Sequence, residues 1–220
     1  MSGHPPHPQN AINTLEHGTL ALLYQPRHGV TVPYGIEDIQ RLWMVLAPRG
    51  VLGQCRLIAL SPEDDARGTE RPRFRAVVDQ LAREADGFAD RLAGEADAAG
   101  TAHPGPAAQM LGQGCYRIVL HLAHTHLLYL LEPTHFVQQV GELFGLTLTG
   151  NFILSVRQPA APAVLPADPP QLLDNFAAEL SLAPADGHAL VEQGDAAAVL
   201  NAMQGELKQA LDPLYPNLGG

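Results

Sequence analysis

Apolar positions along this chain fall into short runs separated by proline and glycine, which is the pattern of strands and turns more than of long helices. After His17-Gly18, the run Thr-Leu-Ala-Leu-Leu-Tyr24 reads as a strand ended by Gln25-Pro26. Leu42–Ala47 and Cys55–Leu60 read as two more, split by Pro48-Arg-Gly50 and Gly53 and therefore expected to pair antiparallel. Ile36 to Arg41 reads as a helical turn opened by Glu37 and Asp38. Cys115 to Glu132 predicts a hairpin turning at His124-Thr125, which sets Leu122 against Leu127, Ile118 against Leu131 and Arg117 against Glu132. One face of that hairpin (Tyr116, Ile118, Leu120, Leu122, Leu127, Tyr129, Leu131) is wholly apolar or aromatic and is expected to meet the core; the other mixes histidine and charge with valine and leucine. Pro133 stops the second strand, and Thr134 caps a helix carrying Phe136, Val137, Val140, Leu143 and Phe144, ended by Gly145. Phe152–Arg157 gives a sixth strand.

Pro72–Leu92 places Phe74, Val77, Val78, Leu81, Ala85, Phe88 and Leu92 on one helical stripe, so a long helix packed on a sheet face is expected there. Gly94–Gly114, rich in alanine, glycine and proline, reads as a linker. Leu172–Leu182 fits either helix or strand, whereas Asp195–Leu211 carries a helical stripe. Together these predict an α+β domain: a mainly antiparallel sheet of about six strands with two packed helices, spanning residues 16–160, a tail over 1–15 and a mainly helical carboxy-terminal extension over 161–220.

Composition narrows the function classes. With 46% hydrophobic residues, the 220-residue chain can build a core, and its net charge of −10 disfavours phosphate backbones and anionic lipid. Neither a nucleic acid nor a membrane is expected as a partner. Two cysteines, Cys55 and Cys115, are too few for a disulfide framework, and the amino terminus lacks the features of a secretory signal, so free thiols and a cytoplasmic location are expected.

Candidate chemistry concentrates in histidine. His121, His124 and His126 surround one predicted turn and His135 opens the next helix, which makes these four the candidate ligands of a divalent metal. His17 or His28 are further candidates for completing the set. Histidine-to-zinc spacing motifs, a nucleophile elbow and a phosphate-binding glycine loop are all missing, and Cys115 stands roughly 20 Å along its strand from His121, too far for that base. Glu63-Asp64-Asp65 reads as a solvated acidic loop.

Tyr24-x-Pro26, Asp38-x-x-Arg41-Leu42, Arg56-Leu57-Ile58, Gly114-x-Tyr116-x-Ile118-Val119, His124-Thr125-His126-Leu127-x-Tyr129 and Ser155-Val156-x-x-Pro159 resemble a family of conserved bacterial and fungal proteins of unknown function, over about residues 16–160. The resemblance implies that the six strands belong to one unit; it implies no activity, cofactor or ligand. Three functions are expected, in this order: a non-catalytic binding or interaction module without a cofactor, a metal-dependent hydrolytic enzyme built on the histidines, and a small-ligand sensor with an apolar pocket.

Overall fold

Eight antiparallel strands close into a barrel in the computed structural model, which describes residues 12–50, 54–63, 73–94, 106–121, 124–156, 173, 178–185 and 198–204. The strands are β1 (Asn13–Pro26), β2 (Ile39–Pro48), β3 (Cys55–Pro62), β4 (Phe74–Ala82), β5 (Gln109–His121), β6 (His124–Leu131), β7 (Thr149–Val156) and β8 (Glu179–Pro184). Around the wall they run β1-β2-β3-β4-β8-β7-β6-β5, with β5 pairing back onto β1. Two four-stranded meanders, β1–β4 and β5–β8, thus join along two seams, β1 with β5 and β4 with β8.

This corrects the expected α+β fold. The closed wall has two strands more than the open sheet predicted from the sequence, and its short helices lie against it. The main source of the difference is residues 72–92. Residues 74–82 form β4, followed by a 3-10 turn (Ala85–Phe88) and one turn of helix, α1 (Ala89–Leu92). Phe74, Ala76 and Val78 are buried while Arg75 is exposed, the period of two that a strand imposes. Phe74 and Val78 also satisfy a helical period, which is why the two patterns were confusable over so short a run. The second addition is β8, from the ambiguous 172–182 stretch. It completes the wall between β4 and β7.

The strand runs are continuously apolar because both faces of the wall are covered. Leu20, Leu22 and Tyr24 on β1 and Leu42, Met44 and Leu46 on β2 point into the barrel with Tyr116, Ile118, Leu127 and Tyr129. Their neighbours Ala21, Leu23, Trp43 and Val45 point outward, where Phe88, Leu92 and Ala108 of the β4–β5 crossover cover them. A second outer patch, Cys115, Val119, Leu128 and Leu130, is covered by Val199 and Met203 of the 198–204 helix. The upper end, where β6 finishes and β7 begins, is stoppered by α2 (Gln138–Leu143) and the turn after it, through Val140, Phe144 and Leu146. The expected 134–144 helix is therefore present as a 3-10 turn (Pro133–His135) and α2. Of the predicted 195–211 helix, residues 198–204 are helical and the remainder lies outside the described residues, as does most of the 1–15 tail.

Candidate functional site

The β5–β6 pairing decides where the histidines go. Ile118 lies opposite Leu127, not Leu131, and His121 lies opposite His124, so the hairpin register differs from the expected one by four residues. A shift by an even number leaves every side chain on its predicted face. His121 and His126 remain diagonal neighbours on the outer face, both fully buried, with ring centroids 6.3 Å apart and edge to face. His126 Nδ1 is 3.1 Å from Asn151 Oδ1 on β7, which makes that nitrogen the donor to the amide oxygen. His124 is half-buried at the start of β6.

His135 sits beyond the other end of β6, on the order of 20 Å from His126 by strand rise alone. Its Nδ1 lies 2.5 Å from Glu132 Oε2, so the predicted Arg117–Glu132 pair is replaced by Glu132–His135, while Arg117 faces Leu128. Burial pushes the Glu132 carboxyl upward, but hydrogen bonds from His135, Thr134 and Gln113 outweigh it and hold its pKa below the usual value. His17 lies opposite Arg117 on β1, and His28 is in the loop after that strand at the upper end. Two imidazoles bound to one tetrahedral zinc would bring their centroids to about 5 Å. His121 and His126 stand wider than that, and no group of three His, Cys, Asp or Glu side chains converges among the described residues.

A polar cluster that sequence reasoning missed lies inside the barrel. Arg56 on β3 donates to both carboxylate oxygens of Glu16 on β1, at 2.6 and 2.9 Å, and the Tyr116 hydroxyl on β5 donates to Glu16 Oε1 at 2.5 Å. The Arg56 side chain is 1% exposed and that of Glu16 10%. Burial, with the Glu16 charge beside it, drives the Tyr116 pKa far upward, so this phenol stays protonated. The signal available in sequence was one arginine on an inward strand position within Cys55-Arg-Leu-Ile-Ala-Leu60. Cys55 and Cys115 are both buried free thiols on strands that are not neighbours, and burial raises the Cys55 pKa.

A third feature is a surface. In the loop between β1 and β2, the backbone N–H groups of Tyr34 and Gly35 donate to Asp38 Oδ2, Arg27 N–H donates to the Asp38 carbonyl, and Arg27 Nε donates to the Glu37 carbonyl. Gln139 Nε2 at the start of α2 donates to the Pro33 carbonyl at 3.2 Å, tying the loop to the upper stopper. The loop holds Tyr34 out in solvent, 79% exposed.

No family model, curated protein or solved structure matches the chain. Among the described residues, no helix is long and apolar enough to cross a membrane.

Proposed function

We propose that this barrel is a non-catalytic interaction module that binds a partner protein through its upper rim. The observation that carries the reading is the distribution of exposed apolar side chains. Among the described residues the large ones are Val32, Tyr34, Ile36 and Val137, three on the β1–β2 loop and one two residues before the α2 residue that bonds to it. A loop fixed by four internal hydrogen bonds presents these side chains with little ordering left to be lost on binding. A closed wall offers a partner no free strand edge, so recognition falls to side chains, and an exposed tyrosine is a common anchor in such surfaces. The partner this rim fits is a protein with an apolar pocket for an aromatic ring.

The test is to isolate a candidate by affinity capture from the producing cell and titrate it, purified, against the parent and Tyr34→Ala. An anchor loses about 30-fold in affinity on truncation, with the melting temperature of the barrel unchanged. Equal affinities for parent and variant would refute the rim as the binding surface.

A further inference from the structure

Inside the barrel lies a small cavity, about 10 Å³, lined only by apolar side chains, among them Met44, Leu46, Ile58, Ile118, Leu127 and Leu173. Glu16, Arg56 and Tyr116 do not line it themselves, but each is a strand neighbour of a residue that does. Ile58 is the next inward residue after Arg56 on β3, Ile118 the next after Tyr116 on β5, and Leu46 is the β2 partner opposite Arg56. A guanidinium and a phenol therefore stand at one edge of an aliphatic chamber. Each donates into the same carboxylate.

A buried ion pair is a weak source of stability compared with apolar residues of similar size, so its presence in an aliphatic interior calls for another use. Glu16 is the member that can leave: its side chain reaches solvent at 10% where Arg56 does at 1%, and it sits at the register irregularity of β1 against β5, between Thr14 and Glu16. Chemically its side chain is a propionate tethered to the strand. We propose that the lower half of the barrel binds a short aliphatic carboxylate. The ligand's carboxylate takes the place of Glu16 on the Arg56 fork and the Tyr116 hydroxyl, a geometry that matches a planar bidentate acceptor. Its tail takes the space Glu16 vacates, with the cavity adding room for about one further methylene, while the displaced Glu16 carboxylate turns to water. This goes beyond the proposed rim interaction and involves none of its residues.

Isothermal calorimetry on the full chain with straight-chain acids from acetate to hexanoate, and with the matching primary alcohols, tests the site, the optimum being expected at propionate or butyrate. Affinity should rise about fourfold per methylene until the chamber is full and then fall, with each alcohol at least tenfold weaker than its acid. Glu16→Gln removes the resident charge and should bind the best acid about tenfold tighter. In the Glu16→Gln/Arg56→Met double variant, the preference for acid over alcohol should vanish. Should Glu16→Gln fail to fold, the parent's preference for acid over alcohol decides alone. Acids that bind neither the parent nor Glu16→Gln, or alcohols that bind as well as acids, would overturn the proposal and leave the cluster as a structural tie.

Discussion

Placing Arg56 at 1% exposure strips its guanidinium of water, and Glu16 returns what it can through two hydrogen bonds. Arg56→Met or Glu16→Leu alone breaks this bidentate pair in a buried setting, so each should lose about 3–5 kcal/mol in urea unfolding. The double variant should recover most of that. Tyr116 gives the same cluster a signature in alkali. Its pKa is raised by burial and by the adjacent Glu16 charge, so above pH about 10 the unfolded chain releases a proton that the folded barrel keeps. The stability linked to this phenol is complete below that pH and declines as the pH climbs from there. Ultraviolet titration of the five tyrosines should show Tyr116 silent until the barrel opens, with Tyr24, also raised by burial, titrating late. The buried histidines behave unlike surface ones: His126→Gln breaks the contact with Asn151 in a closed environment and should destabilise by about 1–3 kcal/mol. A loss within about 0.5 kcal/mol, as exposed positions show, would contradict that burial. Metal analysis of the untagged parent alongside this variant checks whether the imidazole pair carries an ion at all.

The strand assignment of β4 has its own test. Phe74 points inward and meets Phe152 edge to face at 6.0 Å, so Phe74→Ala should cost about 3–5 kcal/mol. Arg75, its outward neighbour, pairs with Glu179 on β8, half-exposed, and Arg75→Ala should change stability by less than about 1 kcal/mol. A helical stripe would also bury Phe74 and expose Arg75. The position that separates the two patterns is Ala76, fully buried on the strand but off that stripe. Ala76→Asp should therefore destabilise the barrel severely, and a neutral result would contradict the strand. Over this element the sequence was ambiguous, because Phe74, Val77, Val78 and Leu81 satisfy a helical stripe and the alternation at 74, 76 and 78 rests partly on a small alanine. The other strands were easier to see: β1, β2, β3 and β7 are apolar runs with turn residues at their ends. The histidine faces were legible even though the pairing was not, since a four-residue slip preserves side-chain direction. The Glu16–Arg56–Tyr116 cluster was hidden by distance along the chain, its members being 40 and 60 residues apart. Gly114 marks a second constraint that composition conceals. A Cβ there would overlap the Leu130 carbonyl across the β5–β6 ladder, so Gly114→Ala should destabilise by at least about 1–3 kcal/mol.

At the scale of the whole molecule, the wall is made of pairings that differ greatly in reach. Within each meander, neighbours in space are neighbours in sequence, but β4 finds β8 across three intervening strands, with Arg75 and Glu179 104 residues apart. A ribosome therefore exposes β1 through β7 before the strand that completes the wall has been made. Until Glu179–Pro184 emerges, β4 and β7 each present a row of unpaired backbone groups, the arrangement that recruits strands from other chains. Such long-range closure also slows folding, which lengthens the exposure. A nascent chain halted before Glu179 should be a substrate for chaperones and, released alone, should precipitate, whereas a stop placed after residue 204, with β8 and the helix over Cys115 and Leu128 both made, should be tolerated. The last short strand thus sets the moment in synthesis at which this protein becomes safe from its own copies.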